Sequence, residues 1–199
     1  RDCLLSRGLG DVYKRQALEV KEAINTLNGN GPKDLLDLCL EIGSYLLIDA
    51  KKFETKEEAK AAMLENINNK KALGKLMDFV GAQGGNVDYI KNPELFAKAN
   101  EVIPVYAKTS GCVNHIDALE IGHAAMILGA GRETLEDKID MAVGIVLNKK
   151  VGDMVKEGDV LCYIHTNGRN TEESIEKAFN AFKISDKVVE SKLILDVIR

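Results

Sequence analysis

The run Lys150-Val-Gly-Asp-Met-Val-Lys-Glu-Gly-Asp-Val-Leu161 constrains this chain more than any other stretch, because two Gly-Asp steps stand six residues apart in it. Glycine enters positive-φ backbone without the clash a Cβ would cause, so each step can supply the conformation that a tight turn requires. Two such turns at this spacing leave room only for short extended segments between and beside them. The surrounding sequence fits that reading: Val160 to His165 reads as a strand, Thr171 to Ile184 as a helix and Val188 to Ile198 as a closing strand. Upstream, Val102, Val105, Cys112, Val113 and Ile116 fall in short segments broken by Thr109, Ser110 and Gly111, as in a hairpin. A short helix over 118–128 ends at Gly129, Ala130 and Gly131, and 139–147 is again strand-like.

The residues before Pro93 have a different period. Ala17, Val20, Ile24 and Leu27 fall on one helical face, and the Gly29, Gly31, Pro32 cluster stops that helix. The next run carries Leu35, Leu36, Leu38, Cys39, Ile42, Leu46 and Leu47 around much of its circumference, which places it inside a layer of helices. Thr55 and Glu58 have capping-box spacing ahead of an Ala59, Ala62, Met63, Ile67 stripe. A fourth helix runs from about Lys71 to Gln83, with Leu73, Leu76, Met77 and Val80 inward and Gly84 and Gly85 at its end. The expected fold class is therefore α/β to α+β: the helical part of a mixed α/β domain over 17–100, then a compact β-rich module of barrel-sandwich or hammerhead type over 101–199. Residues 1–16 share neither period. They are basic at Arg1, Arg7, Lys14 and Arg15 and lack the apolar core of a signal peptide, and they read as a non-native leader.

Charge and cysteine usage narrow the function classes. Lys plus Arg number 27 against 31 Asp plus Glu, a net −4, so nothing in the charge balance favours a polyanionic partner such as nucleic acid. The longest apolar stretches, near Tyr45–Ile48 and Gly144–Leu147, fall far short of the roughly 20 residues of a membrane span. Cys3, Cys39, Cys112 and Cys162 form no C-x-x-C pair, so they read as reduced thiols of a cytoplasmic protein.

Three segments together resemble one family. Ala17-Leu-Glu-Val-Lys-Glu-Ala-Ile followed by Gly29-Asn-Gly-Pro-Lys-Asp-Leu is similar to the close of the central domain in pyrimidine-nucleoside and thymidine phosphorylases. Ala82-Gln-Gly-Gly-Asn resembles a later glycine step of that family. Ile121-Gly-His-Ala-Ala-Met-Ile-Leu-Gly-Ala-Gly-Arg, Ile139-Asp-Met-Ala-Val-Gly-Ile and the Val151-Gly-Asp run resemble its C-terminal module in order and spacing. The resemblance implies a pentosyltransferase of pyrimidine salvage, in which phosphate displaces the base of uridine or thymidine and leaves a pentose 1-phosphate. It also implies a homodimeric, cytoplasmic protein of which this chain is the C-terminal part, inactive alone. The family's Lys-His-Ser-Thr-Gly-Gly phosphate loop, and the Arg, Ser and Lys that hold its pyrimidine, have no counterpart in these 199 residues, so no catalytic or substrate-binding residue is carried over. One ligand is: the resemblance implies that Glu22 aligns with a glutamate that helps hold a monovalent cation, potassium, while the carbonyl positions would fall at Tyr13 and Gly10, inside the leader that does not match.

The remaining candidates read as structural. His115, His123 and His165 are too far apart in sequence for a metal spacing, and Gly129, Gly131 and Arg132 end a helix where an anion site wants a helix start. The paired Gly-Asp turns are shared with biotinyl and lipoyl carrier domains, which would make the chain a swinging-arm carrier. Such carriers need a lysine at an exposed hairpin, and Asp140-Met-Ala-Val offers none.

Overall fold

In the computed structural model, residues 16–132, 136–190 and 192–198 are described. The leader therefore lies outside the described residues, apart from Gln16. Helix α1 spans Gln16–Leu27, α2 Lys33–Asp49, α3 Lys56–Asn68, α4 Lys71–Ala82 and the single turn α5 Asp88–Lys91. The chain divides into two compact units near Phe96: one built on 19–96, the other on 97–191.

In the helical unit, local sequence sets the helix ends. The capping box at α3 is fully formed: the Thr55 side chain accepts from the Glu58 amide and the Glu58 carboxylate from the Thr55 amide. A cap of this kind is worth about 1 kcal/mol. Helix α2 packs on α3 and buries Leu40 and Ser44. Ile42 and Leu46, placed inside a helical layer by their pattern, are instead 51% and 64% exposed. The reason is geometric. Among the described residues α3 is the main neighbour of α2 and covers one stripe of it, whereas an all-round apolar helix needs neighbours on every side.

Glu41 joins the two helices, its carboxylate meeting Lys56 Nζ at 2.7 Å and Lys60. The hydrogen bonds from these two ammonium groups hold the Glu41 carboxyl down at about 2, and the Glu41 and Tyr45 contacts push the Lys56 ammonium up. Glu41's folded value lies below its ordinary 4.5, so its contribution to stability is complete above that pH and is lost as pH falls through about 2. Glu41→Gln should lower the urea midpoint of unfolding at pH 7. The gap between variant and parent should narrow below pH 4.5 and close only below about pH 2, where the parent's carboxyl is also protonated. A gap that stays constant between pH 7 and 2 would show that the ion pairs contribute nothing.

The second unit holds strands β1 Glu101–Tyr106, β2 Gly111–Ile116, β3 Gly144–Leu147, β4 Met154–Val155, β5 Val160–Thr166 and β6 Phe182–Ser185, with α6 Ala118–Ala125 and α7 Thr171–Ala181. It forms two antiparallel three-stranded sheets, ordered β1-β5-β3 and β4-β2-β6. A single core joins them: Val105, Leu161 and Ile164 from one sheet, Val113 and Phe182 from the other, and Leu128 beyond α6. The chain is thus a helical part followed by a β-rich module.

β1 and β2 do not form the expected hairpin. They lie in different sheets, and the segment between them crosses from one to the other. The two Gly-Asp steps explain why. Gly158 N donates to Ala107 O at 2.9 Å and Ala107 N to Asp159 O at 2.8 Å; six residues on, Gly152 N donates to Val113 O and Val113 N to Asp153 O, both at 2.9 Å. Each turn is closed the same way, the Asp153 carboxylate accepting from Lys150 N and the Asp159 carboxylate from Lys156 N. Gly152 and Gly158 take φ of 98° and 88°, where a Cβ would be strained. The repeat in sequence is therefore a repeat in space, and its two turns clamp the two ends of the 107–113 crossing. Thr109, Ser110 and Gly111 gave the sequence signal of a turn, but the backbone bonds of the crossing had already been committed to the Gly-Asp turns.

Three further boundaries differ from expectation. α7 ends at Ala181, and 182–184, expected as its last turn, belongs to strand β6 against β2. Val188 to Ile198 has no strand among its described residues, so β6 takes the closing place expected of it. In 139–147 only Gly144–Leu147 is extended.

Candidate functional site

Helix α1 carries Glu22 on its exposed face, opposite the buried Ile24, and the Glu22 carbonyl accepts the Thr26 hydroxyl at 2.8 Å within the helix. Tyr13 and Gly10 lie outside the described residues. Among the described residues no three His, Cys, Asp or Glu side chains stand close enough to hold a metal ion, so Glu22 is one oxygen donor and not part of a ready-made carboxylate cage.

The histidines are dispersed over three elements, His115 exposed on β2, His123 on α6 and His165 on β5. His123 Nδ1 lies 3.9 Å from Glu120, which also faces Lys177 at 4.0 Å, a surface arrangement. Nucleophilic sulfur fares no better. Burial pushes the Cys162 thiol up to about 12, so it stays protonated at neutral pH, and Cys112 is buried too, while Cys39 is exposed.

The glycine cluster after α6 closes a helix with a π-type turn over Met126–Ala130. The Gly129 carbonyl accepts from Asp140 N at 2.9 Å, and the Ile127 carbonyl from the Asn170 side chain at 3.2 Å. The Asp140 carboxylate in turn accepts from Ala142 N at 2.9 Å and from the Asn167 side chain at 2.6 Å. These bonds tie the end of α6 to the loop ahead of α7, where Thr166 and Thr171 hydroxyls meet at 2.7 Å. Satisfied carbonyls at a helix C-terminus are not an anion cradle. Sequence reasoning had missed Asp140, Asn167 and Asn170; the only signal was the Asn167-Gly-Arg-Asn170 run, which reads as an ordinary turn. Ser174, wholly buried on α7, donates to the Ala124 carbonyl at 2.9 Å and completes the junction of α6 with α7.

The family model described as pyrimidine nucleoside phosphorylase C-terminal domain matches residues 112–185, from β2 to β6. The pyrimidine-nucleoside phosphorylases of Staphylococcus aureus (strain USA300) and Staphylococcus haemolyticus (strain JCSC1435) are each 46% identical to the chain over 194 residues, 98% of this chain and 44% of theirs. The chain thus spans under half the length of these curated relatives. The matches lend no support to a biotinyl or lipoyl carrier.

Proposed function

Because the chain belongs to the pyrimidine-nucleoside phosphorylase family, we propose that it supplies the C-terminal module of an enzyme that splits pyrimidine nucleosides with phosphate. In that reaction a phosphate oxygen bonds to the anomeric carbon as the bond from that carbon to the base nitrogen breaks. The products are a pentose 1-phosphate and the free pyrimidine. The transition state places a sugar with oxocarbenium character between an anionic nucleophile and a base that gains charge, so the enzyme must hold phosphate with cations and amides and polarise the base carbonyls. None of those groups is assigned to this chain. Its part is to form a stiff wall of the cleft, and the observation that carries this reading is the 46% identity running through both its helical and its β-rich parts.

Three further properties belong to the same reading: a homodimer, a cytoplasmic location and a potassium ion held in part by Glu22. An exposed carboxylate that enters no ion pair with another described residue supports the last, since potassium takes hard oxygen donors. Here Glu22 would contribute one oxygen.

The test is a chimera. The chain from Ala17 onward is joined to the Staphylococcus aureus relative's own sequence up to the residue aligned with Gln16, and uracil release from uridine is followed with and without phosphate. Phosphate-dependent release is expected. A folded chimera that releases no uracil in phosphate would reject the reading.

A further inference from the structure

Three Asn-Gly steps occur in the sequence: Asn28-Gly29, Asn30-Gly31 and Asn167-Gly168. Such a step can react with itself, because glycine puts no Cβ in the way when its amide nitrogen approaches the side-chain carbonyl carbon of the asparagine before it. Whether the two atoms meet depends on what else holds them, since an attack geometry is reached only by groups free to turn toward each other. The fold treats the three steps differently. At Asn167 both reactants are engaged: the side-chain nitrogen donates to the Asp140 carboxylate at 2.6 Å, the side-chain oxygen accepts from Asn100 N at 2.7 Å, and Gly168 N donates to the Thr166 hydroxyl at 3.0 Å. At Asn28 the nucleophile is engaged, Gly29 N donating to the Thr26 carbonyl at 3.0 Å. At Asn30 neither is. Its side chain is exposed, and among the described residues neither that side chain nor Gly31 N has a hydrogen-bond partner. Asn30 N donates to the Asn25 carbonyl at 2.8 Å, which fixes the start of the step without holding a reacting atom.

We propose that Asn30 is a site of spontaneous deamidation, and that the fold protects the other two Asn-Gly steps. Gly31 N loses its proton to solvent and bonds to the Asn30 side-chain carbonyl carbon. The bond from that carbon to the side-chain nitrogen breaks, and ammonia leaves with a proton from solvent. Water then opens the cyclic imide at either carbonyl, which restores the Gly31 N–H and leaves an aspartyl or an isoaspartyl residue. Each hydrogen bond on a reacting atom must be given up before the attack, and a bond of ordinary net strength slows the step by roughly fivefold. Asn28, held by one such bond, should therefore lag Asn30 by about fivefold, and Asn167, held by three, by about 100-fold. The product matters to the fold. Gly31 lies so close to Thr26 that a Cβ has no room there, and the isoaspartyl form, which lengthens the main chain at residue 30, pushes Gly31 off Thr26 and loosens the turn between α1 and α2. Nothing in this inference depends on the phosphorylase reading.

The full chain is incubated at mildly alkaline pH in water enriched in heavy oxygen, then digested in ordinary water, so that only deamidation during the incubation carries the label. Trypsin leaves Asn28 and Asn30 in the peptide from Glu22 to Lys33, where fragmentation separates them, and Asn167 in the peptide from Glu157 to Arg169. Label should enter residue 30 first, residue 28 about fivefold more slowly and residue 167 about 100-fold more slowly. Repeated in urea, which removes every one of these bonds, the three rates should come together. Label that enters Asn28 or Asn167 as fast as Asn30, or that fails to enter Asn30, would overturn the proposal. So would an order that survives unchanged in urea, because it would then belong to the local sequence and not to the fold.

Discussion

Assayed alone, the 199-residue chain should release no uracil from uridine in phosphate buffer beyond the uncatalysed background. Enzymes accelerate their reactions by roughly 10⁶-fold or more, and most of that comes from charges and dipoles fixed where the transition state develops charge. For phosphorolysis those charges must reach both the phosphate and the base. The family's Lys-His-Ser-Thr-Gly-Gly loop does not occur in the sequence. The places in the described residues that most resemble substitutes fail for physical reasons: the Gly129–Gly131 turn presents bonded carbonyls at a helix end, the histidines sit on separate elements, and Cys162 remains a neutral thiol. Phosphate-dependent turnover by the purified chain would mean that a catalytic set was assembled from residues assigned here to structure. The paired result, an inert chain and an active chimera, separates a missing half from a mistaken family.

What the sequence could reveal depended on how local each determinant was. The Thr55–Glu58 box, the Gly29 to Pro32 break and the two Gly-Asp turns act within a few residues of themselves, and each appears where it was expected. The pairing of strands is set by contacts far apart in the chain. Turn-forming residues at 109–111 say that the backbone bends, but only the bonds from Gly152 and Gly158 to Val113 and Ala107 decide that it crosses between sheets. Phe182–Ser185 continues the apolar spacing of α7, so a helical period runs on into it; pairing with β2 overrides that local preference. The apolar circumference of α2 was read correctly as chemistry and wrongly as burial, because the pattern states what a helix can bury and not which neighbours are there to bury it. The absence of a phosphate loop was visible from sequence alone.

Gly111→Ala should be the most damaging of the small substitutions in the β-rich unit, at a cost of about 3 kcal/mol or more. Gly111 ends the crossing segment and begins β2, at φ 153°. A Cβ there would stand 2.8 Å from the main-chain oxygen of Ser185 and 3.0 Å from its carbonyl carbon. Backbone cannot swing aside as a long side chain can, and this particular backbone belongs to β6, whose Ser185 is opposite Cys112 in the ladder. Relief of the clash would therefore part β6 from β2 and open the core over Val113 and Phe182. Gly158→Ala is the control. It has positive φ too, 88°, but nothing lies within 4 Å of the added carbon, so it should cost only the conformational strain of about 1–2 kcal/mol. The difference corresponds to roughly a tenfold or larger change in the folded-to-unfolded ratio, well within reach of urea titration followed by circular dichroism. If both variants lose the same stability, the tight approach of the crossing segment to β6 is not what holds the two sheets together. If Gly111→Ala alone collapses the unit, the wall that the proposed phosphorylase needs rests on one hydrogen atom in place of a methyl group.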